Sequence, residues 1–257
     1  MAWGTLGEGP PIVLIHGTPF NAQVWHRIAP WLAQTRKVYF YDLLGYGKSA
    51  MFDGQDVSLA MQNRVFVALL RHWALDQPEV VAHDFGGATV LRALYLNGLR
   101  YKRLTLIDPV ALAPWGSPFV QHVRQYEDAF AGLPPYAHEA LLNAYLQGAS
   151  WRGLSLDALK LYAKPWLTEK GQRAFYRQIA QMDQKHTDDV QPLYAPPDFP
   201  TQILWGENDR WIPIDTGRKL AAILTNGRMI NVPNCGHLMQ EDAPEAILAA
   251  VLGFTRS

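Results

Sequence analysis

The chain of 257 residues predicts an α/β protein, a mostly parallel sheet flanked by helices and carrying an inserted helical cap. Three observations lead there. Short apolar runs rich in β-branched and aromatic residues alternate with segments of helical periodicity, the pattern of parallel strands joined by crossover helices. The alternation lapses over 111–197, where helical patterns continue without a strand and Pro114, Pro118, Pro134, Pro135, Pro165, Pro192, Pro196 and Pro197 punctuate the chain. At 80–87 a strand-like run turns into a helix around a single carboxylate, Asp84.

Taken in order, the strand candidates are 12–15, 38–41, 80–82, 104–107, 203–205 and 229–232. Between the first two, Val24, Trp25, Ile28, Trp31 and Leu32 recur close to the helical period over 23–34, and 58–73 and 87–97 repeat that pattern. Inside the insertion, 119–130, 137–146 and 171–182 read as helices. The expected division is a core of 1–110 and 198–257 with a cap of 111–197.

Composition narrows the function classes. Lys plus Arg equals Asp plus Glu at 23 each, so no charge excess points to nucleic acid or an anionic membrane. Hydrophobic residues at 49% and charged residues at 18% describe a chain that buries a core. The lone Cys235 has no partner for an internal disulfide, which suits a reducing compartment. The first residues lack a basic region ahead of their short apolar run, and no stretch approaches the roughly 20 apolar residues of a membrane span. A cytoplasmic protein acting on a small apolar substrate with water, without cofactor or metal, is the expectation.

The chemistry-bearing residues follow from the turn at Asp84. Small residues flank it, Ala82 and Gly86, so that the apex side chain can stand clear of the sheet. A carboxylate attacking an ester would form a high-energy mixed anhydride. A carboxylate displacing a leaving group from saturated carbon forms an ordinary alkyl ester, which water then cleaves, so one hard step becomes two easier ones. Asp84 therefore points to carbon–halogen or epoxide bonds. Downstream, Asp209 follows a strand at its C-terminal end, where open sheets place their chemistry, and His237 lies in the loop after the last strand. Asp108, after the 104–107 strand, is an alternative acid.

These pieces are HGTP (16–19), DLLGYGKS (42–49), AHDFGG (82–87), LIDP (106–109), GENDRWIP (206–213) and GHLMQEDAP (236–244). Together, in this order, they resemble the α/β-hydrolase superfamily, in the branch of haloalkane dehalogenases, haloacetate dehalogenases and epoxide hydrolases. The resemblance implies Asp84 as nucleophile, His237 as base and Asp209 as its acid. It also implies backbone N–H groups of Thr18 and Phe85 as the oxyanion hole. Haloalkane dehalogenases usually have Trp where Phe85 stands and Asn where Thr18 stands, both donating to the halide; haloacetate dehalogenases usually have Arg in place of Phe85. Epoxide hydrolases keep HGxP and use two cap tyrosines. Tyr126, Tyr136, Tyr145 and Tyr162 are available in the cap, and Trp115, Tyr126 and Tyr162 are the candidate substrate or leaving-group contacts.

Plainer roles stand beside these. Asp84 could cap the helix that follows. His16, His83 and Cys235 read as structural, Asp42 as a residue that fixes its loop, and Trp151 and Trp166 as cap core. Two other functions are set against the leading one: a weak esterase, and a non-catalytic member of the fold that binds a small ligand.

Overall fold

The computed structural model describes residues 1–254. A seven-stranded sheet runs in the order β1-β3-β2-β4-β5-β6-β7. Its strands are β1 (Trp3–Leu6), β2 (Pro11–Ile15), β3 (Lys37–Tyr41), β4 (Glu79–His83), β5 (Arg103–Ile107), β6 (Thr201–Gly206) and β7 (Ile230–Val232). β1 pairs antiparallel with β3; every other pairing is parallel. All five residues of β4 are buried, which is why Val80, Val81 and Ala82 are apolar in succession rather than in alternation. β1 is the strand the sequence hid. Three of its four residues are exposed at the sheet edge, so it carries no apolar pattern to read.

The helices are α1 (Ala29–Leu32), α2 (Leu59–His72), α3 (Phe85–Asn97), α4 (Pro118–Gln125), α5 (Glu127–Ala131), α6 (Pro135–Gln147), α7 (Leu156–Ala163), α8 (Glu169–Ala180), α9 (Lys185–Asp188), α10 (Ile214–Leu224), α11 (Met239–Asp242) and α12 (Pro244–Phe254). The helix expected over 23–34 is instead a 3-10 turn at Ala22–Trp25 and the single turn α1. Pro30 explains this: without an N–H, and with its ring against the carbonyl four residues back, it cannot sit inside a continuous helix. The helix expected over 119–130 breaks at Tyr126 (φ −131°, ψ 39°) into α4 and α5. From α4 to α9 the chain is helical, entered after β5 and left before β6, so the insertion lies over the C-terminal ends of the central strands. No helix among the described residues is long and apolar enough to cross a membrane.

Candidate active site

Asp84 sits where β4 meets α3, with φ 50° and ψ −116°. A non-glycine residue at positive φ costs of order 1–3 kcal/mol and persists only where its surroundings enforce it. Two glycines do so. A Cβ on Gly86 would lie 2.7 Å from the carbonyl oxygens of Ile15 and His16, and one on Gly17 would lie 2.3 Å from Asp84 Cβ and Oδ1. The start of α3 and the turn after β2 thus close on the elbow until only hydrogen fits at these two positions. The plainer role for Asp84 fails here, because its side chain makes no capping bond to α3. Its Oδ1 instead accepts the backbone N–H of Thr18 at 2.7 Å.

His237 Nε2 lies 3.3 Å from Asp84 Oδ2, and His237 Nδ1 lies 2.8 Å from Asp209 Oδ2. The His237 and Asp209 side chains are wholly buried. Asp209 is held by its other oxygen, which accepts the N–H groups of Trp211 at 2.7 Å and Ile212 at 2.9 Å. Asp108 makes a different bond: its Oδ1 accepts the N–H of Gly206 at 2.9 Å, and its buried Oδ2 has no partner. The residue bonded to the imidazole is therefore Asp209.

Electrostatics separate the carboxylates. Burial pushes Asp84 up, but the hydrogen bond and charge of His237, the nearby His83 and the Phe85 N–H outweigh it and hold the carboxyl below its usual range. Asp108 moves the opposite way. Burial and the like charge of Asp209 raise it well above an ordinary carboxyl, so it keeps its proton. For His237 burial disfavours the cation, yet Asp209 and Asp84 prevail and lift it well above an ordinary imidazole.

A cavity of about 110 Å³ opens beside Asp84. Thr18, Phe85, Trp115, Val120, Tyr145, Met182, Trp211 and Ile212 are among its walls. Trp211 links the cavity to the base, with its ring 4.7 Å from Tyr145 in a stack and 4.9 Å from His237. Of the expected cap contacts only Trp115 is present, and its indole N–H already donates to Thr187 Oγ1 at 2.9 Å. Tyr126 is 46% exposed and packs on His122. Tyr162 is buried away from the cavity, its hydroxyl donating to Glu241. Neither lines the cavity, because the break at Tyr126 turns one outward and α7 aims the other at α11. Tyr145 is the cap tyrosine that does line it, and burial with the charge of Asp84 raises its phenol. Spacing along α6 could not single it out.

The plainer residues fall as follows. His16 Nδ1 bonds the carbonyl of Gly17 at 2.9 Å and Nε2 accepts the N–H of Leu43 at 2.8 Å, a strut between two loops. Asp42 accepts the N–H groups of Ala22 and Lys48. Trp166 is fully buried and donates to the carbonyl of Pro19, whereas Trp151 is 41% exposed. Cys235 is buried, and its thiol is raised by burial and neighbouring carboxylates. His83 does more than pack. Its Nε2 lies 2.9 Å from the carbonyl of His237, and burial and the neighbouring imidazole push it down to about 3, so it donates as a neutral ring.

A buried acid–imidazole pair aimed at a strained elbow, above the C-terminal ends of parallel strands, defines a hydrolase site on an α/β scaffold. Residues 10–244 match the family model of the α/β hydrolase fold. The chain belongs to the α/β-hydrolase fold family. It is 62% identical to a solved α/β-hydrolase fold protein from Burkholderia ambifaria, covering 98% of this chain and 93% of that one at a TM-score of 0.96. It is also similar to the 2-hydroxy-6-oxo-6-(2'-aminophenyl)hexa-2,4-dienoic acid hydrolase of Metapseudomonas resinovorans, 24% identical over 96% of this chain and 84% of that protein. A haloalkane dehalogenase from Bradyrhizobium elkani superposes at a TM-score of 0.77 with 22% identity, covering 98% and 92% of the two chains, a likeness of fold.

Proposed function

We propose that the protein opens a carbon–oxygen or carbon–halogen bond of a small apolar substrate through a covalent ester on Asp84, and that an epoxide is the better fit. The carrying observation is the Asp84 carboxyl on the cavity wall at the elbow, with Oδ1 on the Thr18 N–H and Oδ2 3.3 Å from His237 Nε2. Oδ2 attacks carbon from behind and the C–O or C–halogen bond breaks. Asp84 then no longer carries charge, so His237 loses one of the two carboxylates that held its proton and gives that proton up, to the phenolate that Tyr145 leaves on protonating an epoxide's alkoxide or to solvent when a halide departs. The neutral imidazole, oriented by Asp209, takes a proton from water as that water adds to Asp84 Cγ. Oδ1 becomes the oxyanion on the Thr18 and Phe85 amides, where one such donor is worth about 2.7–4 kcal/mol. On collapse the imidazolium gives its proton to the departing alkoxide, releasing the product alcohol, and the Asp84 carboxyl passes its remaining proton to His237 as the carboxylate is restored.

Leaving-group chemistry favours the epoxide. An opened epoxide leaves an alkoxide that needs a proton, and Tyr145 presents a phenol in the cavity. A halide needs N–H donors, and the Phe85 side chain has none, the Trp115 N–H donates to Thr187 and the Thr18 hydroxyl donates to Gln178, which leaves the Trp211 indole as the ring N–H on the cavity wall. Size agrees with a small molecule: a cavity of ~150 Å³ admits benzene, so about 110 Å³ suits a smaller substrate.

The test is intact-protein mass spectrometry of His237→Ala, which lacks the base and should stall at the ester. Incubation with 1,2-epoxypropane should add the full mass of the epoxide at Asp84. An adduct from 1-bromopropane that lacks bromine would assign dehalogenation instead. Absence of any adduct with both probes and with chloroacetate would sink the nucleophilic role of Asp84.

A further inference from the structure

Gln178, on α8, is 2% exposed, and its side-chain oxygen accepts two hydroxyls from across the cap–core boundary. These are Thr18 Oγ1 at 2.5 Å and Tyr46 OH at 2.9 Å. Thr18 is the residue whose N–H meets Asp84 Oδ1. From the core side the same loop is held by His16, whose ring is bonded to Gly17 and Leu43 and lies 5.7 Å from the ring of Tyr46. The loop is thus gripped from the core by His16 and from the cap by Gln178 at Thr18 and by Trp166, whose indole donates to the carbonyl of Pro19.

The rest of this end of α8 docks elsewhere. Gln181 accepts the N–H of Val57 at 2.7 Å and donates to the carbonyl of Gln55 at 2.9 Å. Arg177 donates to the carbonyl of Phe52 and pairs with Asp53 at 3.0 Å. Those bonds fasten the cap to the 52–57 segment and reach nothing at Asp84. Gln178 alone of the three touches the oxyanion loop.

We propose that Gln178 is a positioning residue that sets the Thr18 amide against Asp84 through the Thr18 hydroxyl, so that a cap side chain completes the oxyanion hole. The inference rests on the reading of Asp84 as nucleophile. A donor stabilises an oxyanion only when fixed within hydrogen-bond reach of where the charge develops, and displacement of about 1 Å can cost 10²-fold. The effect is specific to one step. During ester formation Oδ1 is losing negative charge, so a looser Thr18 N–H does not slow attack by Oδ2. During ester hydrolysis water adds to Cγ, its proton goes to His237, and the electron pair moves onto Oδ1. That is where the loosened donor is missed. A cap that lifts away takes Gln178 with it, so competence for the second step and cap closure are one event.

The test compares Gln178→Met, Thr18→Val, the double variant and Gln181→Met, which breaks cap–core bonds on the same helix without touching the loop. Rapid quench with 1,2-epoxypropane and mass spectrometry separates ester formation from ester hydrolysis. Gln178→Met and Thr18→Val should each slow hydrolysis about 10-fold with ester formation unchanged, and the double variant should be no slower than either. Gln181→Met should keep the native ratio of the two rates. Equal ratios in Gln178→Met and the native protein, equal changes in Gln178→Met and Gln181→Met, or effects that multiply in the double variant would each overturn the proposal. Hydrogen exchange of the Thr18 amide is read on the same proteins without substrate. Faster exchange in Gln178→Met but not in Gln181→Met supports the tether even if no ester forms and the nucleophile reading falls. Unchanged exchange overturns the tether.

Discussion

Replacing Asp209 with Asn isolates what the buried acid does for His237. The amide oxygen can still accept the N–H groups of Trp211 and Ile212, so the loop keeps its shape. The group facing Nδ1 becomes an NH2 donor in place of a carboxylate oxygen at 2.8 Å. Two donors cannot share that contact, so the neutral imidazole turns to the tautomer with hydrogen on Nε2, which cannot accept a proton from water. A hydrogen bond to a charged group contributes about 1.5–3 kcal/mol, and with the wrong tautomer the loss reaches about 3–5 kcal/mol, a slowing of ~10²–10⁴. The slowed step is ester hydrolysis, so Asp209→Asn should accumulate the Asp84 ester within one turnover of 1,2-epoxypropane, as seen by rapid-quench mass spectrometry. Asp108→Asn should not, because Asp108 already keeps its proton and Asn mimics that form. Hydrolysis at the native rate in Asp209→Asn, with an ester trapped in Asp108→Asn, would refute the reasoning and pass the role to Asp108.

Other expectations follow from the same geometry. Tyr145→Phe keeps the stack on Trp211 but removes the phenol, so epoxide opening should fall ~10²–10⁴ with ester hydrolysis unchanged, checked by single-turnover kinetics. Gly17→Ala would push a methyl to 2.3 Å from Asp84; it should abolish ester formation and lower stability by about 1–3 kcal/mol in urea unfolding. Asp108, raised by the fold, lowers stability as pH climbs from the ordinary carboxyl value of ~3.9 toward its own higher one. Asp108→Asn should therefore gain thermal midpoint over the native protein at pH 8 and show little difference at pH 4. Asp84, lowered, contributes stability above ~3.9 that vanishes as pH falls through its folded value, and His237, raised, contributes below ~6.5 and loses it as pH rises through its own. The pair's full contribution thus spans about pH 4–6.5, and Asp84→Asn should show its largest loss of midpoint there.

What could be read from the residues was what chain-local chemistry demands. An elbow needs its apex and small neighbours side by side, so Asp84, Ala82 and Gly86 announced it within one short run. His237 and Asp209 each follow a strand, and a strand end is a local signal. The cap was different. Whether Tyr126, Tyr145 or Tyr162 meets the cavity depends on where α4 breaks and how α6 and α7 lean, and no spacing rule encodes that. Gln178 was equally hidden, because an amide in an amphipathic helix looks like any polar residue until Thr18 and Tyr46 are found at its tip. His83 was read as packing, and its bond to the carbonyl of His237 joins segments 154 residues apart. β1, exposed at its edge, offered no apolar trace.

The cavity beside Asp84 also bears on how a turnover ends. Hydration of an epoxide keeps every atom of the substrate and adds a water, whose share of liquid volume is ~30 Å³. In a cavity of about 110 Å³ that growth comes without any fragment leaving. The product of that reaction would also be a diol set among Phe85, Val120, Met182 and Trp211, where its new hydroxyls would meet mostly carbon. On the epoxide reading proposed above, growth and polarity both work against retention, so a cavity suited to an oily ring is a poor host for what that ring would become.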